Sequence, residues 1–423
     1  MLTKAIGFFR KYIRMEIPLF LYMLTSFLKY PVFQNLIYEK ACLARYAQDE
    51  RLCSNVTAYY NDKAVQADAN YFYFLSSLVL TVPSLFSTLA LGAASDSWSI
   101  KVPLLIPFFG LILCTTNYII QTTYMNTSIY MLLISDALFG VCGGYVSIIS
   151  TTLSYGVKTT SASRRSVKIA GVEGAIGLGG TVGYALSGTI REALGYSYTF
   201  LVLLILQTTA FFYIMVCAED STVSDDVLQE SRSGLLSRIF WKSVQALAEY
   251  RNVLTADRKY RLLLGINLLA FGVELLIFAG MMDIQFSYLR FKLGWGDKQY
   301  GWFSGLQYGV TTATPFPVFT SLNRFVSTGF RSFISSIIET SEQGRMFSVI
   351  ALLEGTTGIL ASTIFNNVYP KTLHFFPGLL YLASAVFLLI PLLILGISDR
   401  RVRRTNRLND GNVPGCAEDV SDE

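Results

Sequence analysis

Residues 164–190 read RRSVKIAGVEGAIGLGGTVGYALSGTI. Arg164, Arg165 and Lys168 stand at the head of a long apolar run rich in glycine, and one carboxylate, Glu173, is embedded in it. About 20 apolar residues are what a helix needs to cross roughly 30 Å of hydrocarbon. Comparable runs recur at 15–38, 71–94, 102–122, 129–152, 168–190, 197–217, 261–289, 301–322, 346–368 and 374–398. The expected fold is therefore all-α, a polytopic membrane protein with about ten transmembrane helices. The stretch 323–338, with Arg324, Arg331 and many serines, reads as a short amphipathic or broken segment. The first run contains Lys29 and Pro31 and lacks a small-residue cleavage site, so it does not read as a signal peptide.

Composition agrees. Apolar residues make up 52% of the 423 and charged residues 15%, with a mean hydropathy of +0.45. A soluble domain carries about 25% charged residues. One histidine and six scattered cysteines argue against a metal or disulfide-framework protein. There is no zinc-type histidine cluster, no paired catalytic aspartate motif and no Ser/His dyad, so no enzyme, metal or cofactor is expected. A channel would need a filter-like loop, which is not evident.

Lys and Arg in the short loops set the orientation. Lys4, Arg10, Lys11 and Arg14 precede the first span, Lys158, Arg164, Arg165 and Lys168 lie between the fourth and fifth, and Arg400, Arg401, Arg403, Arg404 and Arg407 follow the last. The turns 123–128 and 193–196 hold none. Both termini are thus expected in the cytoplasm, and loop 39–70 outside or in a lumen. That loop carries the sequon Asn55-Val56-Thr57, a glycosylation candidate. Cys42 and Cys53 share its oxidising compartment and are candidates to pair. The net charge of +5 follows from the loop bias and needs no nucleic-acid partner; the Arg-rich tail suits anionic lipid. Residues 219–260 form a long polar stretch, part of it amphipathic. The expected organisation is an N-terminal six-helix bundle at 1–218, a cytoplasmic central loop at 219–260, a shortened C-terminal bundle at 261–398 and a cytoplasmic tail at 399–423.

A repeat gives the architecture. Residues 344–358 read GRMFSVIALLEGTTG, and like 164–177 they place an arginine first and then Glu-Gly-x-x-Gly about two and a half turns into the helix. Two parallel halves are the build of major facilitator carriers, with the substrate site between the halves near midplane.

Further residues extend the likeness. Met15-Glu16-Ile-Pro18-Leu-Phe20-Leu-Tyr22 through Tyr30-Pro31 and Tyr38-Glu-Lys-Ala-Cys42 resemble the first helix of the proton-coupled folate transporter family. Leu91-Gly92-Ala-Ala-Ser-Asp96 resembles the end of its second helix, and Glu173-Gly174-Ala-Ile-Gly177 its fifth. Arg331-Ser332, Glu342-Gln343-Gly344-Arg345 and Phe365-Asn366-Asn-Val-Tyr369-Pro370 resemble its tenth and eleventh. The likeness covers nearly the whole chain and departs in three ways. In the loop motif after helix 2, Gly92, Asp96 and Lys101 survive, but Ser99 and Ile100 replace a glycine and an arginine. Phe278 stands where the folate carriers have a helix 7 histidine. The family has twelve helices, and here Gln307-Tyr308-Gly309 reads like the start of helix 8 while Phe319 to Ser332 reads like helix 10.

Ionisable groups in hydrocarbon cost about 2.5–3.5 kcal/mol each on insertion scales and call for a reason. Glu173 leads. The charged form of a carboxylate in a dry, Gly-lined helix is disfavoured, which suits it to carry a proton, and the resemblance also ties that position to proton coupling; the alternative is a neutral glutamate bonded to a neighbouring helix. Glu354, its repeat partner, and Asp283 are the other coupling candidates, Asp283 otherwise being an interfacial carboxylate. Asp136 and Glu274 read as packing contacts. Arg331, matched by the resemblance, is a carboxylate-binding candidate or a lipid-phosphate contact. Lys29 either meets an anionic substrate or snorkels. Tyr308, like Tyr22, Tyr30, Tyr145 and Tyr184, is a stacking candidate or a packing residue. Asp96 and Lys101 are gating candidates, Asp96 otherwise capping a helix or loop.

These readings converge on a secondary transporter: proton-coupled symport of a small organic anion, folate-like or other, in the plasma or endolysosomal membrane. The alternative is a transporter-derived receptor or regulatory protein, or a truncated isoform, that no longer moves substrate.

Overall fold

The computed structural model describes residues 15–46, 49–54, 59–97, 101–158, 165–218, 261–313, 330, 333–334 and 343–410. Among the described residues there are helices and turns and no strand. The long elements are α1 (Glu16–Arg45), α2 (Lys63–Ser97), α3 (Lys101–Thr123), α4 (Leu133–Val141), α5 (Gly144–Lys158), α6 (Arg165–Cys217), α7 (Arg261–Leu293), α8 (Asp297–Ala313), α9 (Gln343–Thr372) and α10 (Leu379–Asp410).

Six helical stretches among the described residues are long and apolar enough to cross a membrane: Lys63–Leu91, Lys101–Thr123, Ile129–Thr152, Gly174–Cys217, Arg261–Leu293 and Leu379–Val402. Ile129–Thr152 joins α4 and α5 across Gly143 and Gly144, both at positive φ. Gly174–Cys217 holds two of the expected spans, because α6 breaks at Gly195 (φ 76°, ψ 177°), a conformation that favours glycine. Both arms come near the start of α1, where Glu16 lies against Gly171 of the first arm and within electrostatic reach of Tyr213 of the second. Helices α1 and α9, each 30 residues long, are not among the six. The reason in α1 is that its polar residues face protein: Thr25, Gln34, Asn35 and Lys40 are all buried. The Lys40 ammonium donates to the Met125 and Thr127 carbonyls at 3.0 and 3.2 Å.

The most extensive packing is α1 against α6. One apolar core runs through α1–α6 and takes in Phe286 of α7 and Tyr300 of α8. Two smaller cores lie among the later helices, around Phe271 and Ile350 and around Phe365 and Tyr369. The earlier helices (α1–α6) meet the later ones (α7–α10) along α6 with α8, α2 with α9, and α1 with both α7 and α8. The outward surface stays apolar. Phe86, Leu262 and Leu269 are 71%, 80% and 75% exposed, and α10 buries only 11% of its most apolar stretch, which is the surface hydrocarbon requires.

The segment between α1 and α2 is tied down. A disulfide joins Cys42 near the end of α1 to Cys53 in the one-turn helix Glu50–Ser54, with Cα atoms 5.6 Å apart. Asp62 caps α2, its Oδ1 accepting from the Ala64 and Val65 amides at 2.8 and 3.2 Å. Partial burial works against ionising Asp62, but hydrogen bonds from Tyr46 and these amides outweigh it, so the carboxyl lies below its ordinary range. Replacing Cys42 and Cys53 with serine is expected to lower stability by about 2–4 kcal/mol. Thermal unfolding of the purified protein checks this, and reductant should move the native protein the same way and leave the variant unmoved.

Candidate functional site

The charged and polar residues of interest gather where the earlier and later helices face each other. On the face that carries the α1–α2 segment, called here the loop-side face, they form a latch. Arg191 of α6 grips Asp297 at the start of α8 with Nε to Oδ2 at 2.6 Å and Nη2 to Oδ1 at 2.5 Å. The Asp297 side chain is fully buried, and Lys298 pairs with Glu192 at 2.5 Å alongside. Two helices reach this close because of glycine. A Cβ at Gly188 would strike the Lys298 backbone, and one at Gly301 would strike the Tyr184 carbonyl and the Ser187 hydroxyl.

Between α1 and α7 the latch continues. The Tyr38 hydroxyl lies 2.9 Å from Gln66 Oε1 and 2.7 Å from Ser287 Oγ. Gln66 Nε2 donates to the Ser287 carbonyl at 3.2 Å, and Tyr30 donates to the Met282 carbonyl at 3.0 Å. Arg290 Nη1 donates to Asn35 Oδ1 at 2.8 Å, Asn35 Nδ2 donates to Tyr196 Oη at 2.7 Å, and Tyr196 donates to Glu39 Oε2 at 2.8 Å. A chain of donors thus runs from a guanidinium on α7 to a carboxylate on α1.

Deeper in, aromatic rings from both sides meet. Phe27 of α1, Tyr184 of α6 and Tyr308 of α8 lie with centroids 4.9–5.3 Å apart, and Tyr30 and Tyr300 each pack on Tyr184 at 6.2 Å. Of the five tyrosines singled out from sequence, Tyr30, Tyr184 and Tyr308 come together here. Tyr22 instead packs on Phe108 within the earlier helices.

The carboxylates fall in two groups. Asp283 of α7 accepts from Asn366 Nδ2 of α9 at 3.1 Å, and that amide also reaches Ser362 Oγ at 3.0 Å. Glu354 of α9 is half-buried, and Tyr145 is within electrostatic reach of both Glu354 and Asp283. Asp136 of α4 is buried among the earlier helices, taking Ser76 Oγ at 2.7 Å and Tyr118 Oη at 3.4 Å. Lys29 acts electrostatically on Asp136 and lies over the Phe33 and Tyr118 rings at 5.2 and 5.4 Å. Its ammonium thus lies among rings and a carboxylate of the earlier helices.

Glu173 and Asp96 lie on the helical backbones of α6 and α2, and their side chains are outside the described residues. Arg331 and Asn55 are outside them altogether. Lys101 opens α3 and is half-buried. Among the described residues no group of His, Cys, Asp and Glu could hold a metal ion.

Sequence reasoning passed over Arg191, Arg290, Glu39, Asn35, Tyr196 and Asp297. Arg191 and Arg290 each stand one residue past the end of an expected span, where a basic residue reads as an ordinary flank. Their partners lie 106 and 255 residues away along the chain.

Comparison with known proteins follows the same architecture. The chain is 23% identical over 393 residues to the proton-coupled folate transporter of Rattus norvegicus, covering 82% of this chain and 83% of the relative. It is 24% identical over 379 residues to the lysosomal proton-coupled steroid conjugate and bile acid symporter SLC46A3 of Homo sapiens, covering 78% and 80%. Among solved structures, the human organic anion transporter MFSD10 (TETRAN) superposes with a TM-score of 0.58 at 14% identity, covering 90% of this chain and 99% of that one. A D-xylose-proton symporter superposes at 0.54 with 12% identity, covering 89% and 97%. These two likenesses speak for the fold alone. Residues 20–328 match the family model of the Major Facilitator Superfamily, and the chain belongs to that family of membrane carriers, which are not enzymes.

Proposed function

We propose that this carrier is a proton-coupled symporter of a small organic anion that alternately exposes a site between its two halves. The observation that carries the reading is the latch. Its central pair, the fully buried Asp297 with the partly buried Arg191, lies between the halves, and a buried ion pair is close to balanced against hydration of its parts. Such a seam parts and re-forms more readily than an apolar seam of the same extent. The two relatives quoted are both named as proton-coupled, and their named solutes differ, which supports a coupled carrier and leaves the solute to experiment.

In this reading the halves are 1–218 and 261–398, joined by 219–260. Both termini are cytoplasmic, Asn55 is glycosylated, and the loop-side face is outside or luminal and shut in this structure. The membrane is the plasma or an endolysosomal one. Glu173, Glu354 and Asp283 carry the proton, with Asp136 a further buried acid beside Lys29. The ring cluster around Tyr308 faces a flat part of the solute, Arg331 takes an acidic group, and Asp96 and Lys101 gate the cytoplasmic side. One pH unit supplies about 1.4 kcal/mol per proton, and 100 mV about 2.3 kcal/mol per charge.

The test is uptake of a labelled organic-anion panel, folates and a bile acid included, by cells expressing the chain at roughly pH 5.5 and pH 7.4 outside. Acid-stimulated uptake is expected, with Glu173→Gln at normal surface level losing about tenfold or more of it, the scale of one lost proton-transfer step. Uptake by the variant that matches the parent at each pH, acid stimulation retained, removes Glu173 from the mechanism.

A further inference from the structure

Arg290 is 1% exposed, yet only part of its guanidinium is used. Tyr38 and Tyr59 lie against it, with centroids 4.5 and 5.0 Å from Cζ. Nη1 donates to Asn35, while among the described residues Nε and Nη2 are buried with no partner at hydrogen-bond geometry, the Tyr59 side chain making only a looser polar contact with the guanidinium. Those two nitrogens form the edge with which a guanidinium takes an oxyanion side-on through two parallel bonds. Arg191 shows the same edge in use, Nε and Nη2 each holding one oxygen of Asp297. Arg290 has the donor pair without the acceptor. The surrounding charges do not fill it. Asp297 is held by Arg191, and Glu39, which accepts from the Tyr196 hydroxyl through Oε2, acts on Arg290 electrostatically without hydrogen-bonding its open edge. Leaving donors of a charged group buried and unmet is costly, which points to an acceptor that comes and goes.

We propose that the Nε–Nη2 edge of Arg290 binds an oxyanion group of the transported solute, a carboxylate or a sulfate, where α1 and α7 part at the loop-side face. The proposal rests on the organic-anion reading above and names a second group, besides Arg331, that holds an acid of the solute. Asn35 fixes the far edge of the guanidinium so that the open edge stays presented. Tyr38 and Tyr59 pack beside the guanidinium, Tyr59 from the segment tethered by the Cys42–Cys53 disulfide. The aromatic faces favour the cation and keep its flanks from water, which strengthens any bond made at the edge. The ring cluster around Tyr184 and Tyr308 lies on the adjoining helices for the remainder of a flat solute.

The experiment has two arms. In the first, the unfolding midpoint of purified full-length protein is followed against sodium sulfate and sodium benzoate, with ionic strength held by sodium chloride. A saturable rise is expected in the native protein, a weaker one in Asn35→Ala, where the open edge is no longer held in place, and none in Arg290→Lys, which keeps the charge but loses the edge. The probe that gives the rise tells sulfate from carboxylate. No saturable rise with either probe, or the same rise in Arg290→Lys, overturns the proposal. Should Arg290→Lys not fold, sulfate or benzoate is expected to protect Arg290 of the native protein from phenylglyoxal, read by peptide mass spectrometry, and no protection overturns it. In the second arm, labelled folic acid and taurocholate are taken up at acid pH. Arg290→Lys is expected to raise KM about tenfold with kcat little changed, the scale of one lost charge-assisted pair; an unchanged KM overturns the role in transport. If the native protein takes up neither, the carrier reading fails on those solutes, and the binding arm still decides the site.

Discussion

Arg191→Leu is expected to release the loop-side face and to destabilise the closed form by about 3–5 kcal/mol, the range for stripping one partner from a buried ion pair. The size follows from Asp297, which is fully buried and has both oxygens on Arg191. Removing the guanidinium leaves a carboxylate with neither water nor a countercharge. Water is regained most directly by parting α6 from α8. A cysteine at Ser287, a position with no exposure in the closed form, reports this with an impermeant maleimide. Labelling in Arg191→Leu is expected to be about tenfold faster or more, a conservative reading of that energy. The double variant Arg191→Leu/Asp297→Leu should recover much of the loss, because removing both charges leaves nothing buried and unmet. A single variant that labels no faster than the parent means the pair does not hold this face.

Gly301→Val is expected to act in the same direction by a different cause. At Gly301 a Cβ would overlap the Tyr184 carbonyl oxygen and the Ser187 hydroxyl. The first of these is backbone, so no change of rotamer relieves it. Overpacking of this kind costs about 1–3 kcal/mol in ordinary cores and more where backbone must shift. The overlap exists only while α6 and α8 are together, so the cost falls on the closed form. Faster labelling at Ser287→Cys, with surface level retained, is the expected outcome. Slow labelling with normal stability would mean that the α6–α8 seam has slack the structure does not show. Gly301→Ala should show a smaller effect of the same sign.

The spans were legible where lipid sets the sequence. Runs expected at 102–122 and 129–152 correspond to Lys101–Thr123 and Ile129–Thr152. Hydropathy reads contact with hydrocarbon, and these helices have it. It reads less well where a helix is polar because it faces protein. Helix α2 begins at Lys63, ahead of the expected 71, because Gln66 and Asn70 are buried against Tyr38 and Ser287. For the same reason α1 continues to Arg45, past the expected 38. The candidate site was legible in part. Asp283, Glu354 and Tyr308 stood out as polar or aromatic residues inside apolar runs, and the structure places them at the seam or next to it. The latch was not legible, because its residues lie at span ends, where charge is ordinary. Only the return of distant helices to one face gives Arg191 and Arg290 their surroundings.

In the transport cycle proposed above, the two halves part at the loop-side face. Cysteines replacing Glu192 and Lys298, whose side chains meet at 2.5 Å across α6 and α8, can be cross-linked by oxidation with Cys114, Cys142, Cys217 and Cys416 changed to serine. Uptake of whichever labelled anion the parent carries is expected before oxidation, to be lost as cross-linking nears completion and to return on reduction, with the uncross-linked parent treated alike to account for Cys42–Cys53. Full uptake by a fully cross-linked population would mean that transport does not require the loop-side face to open.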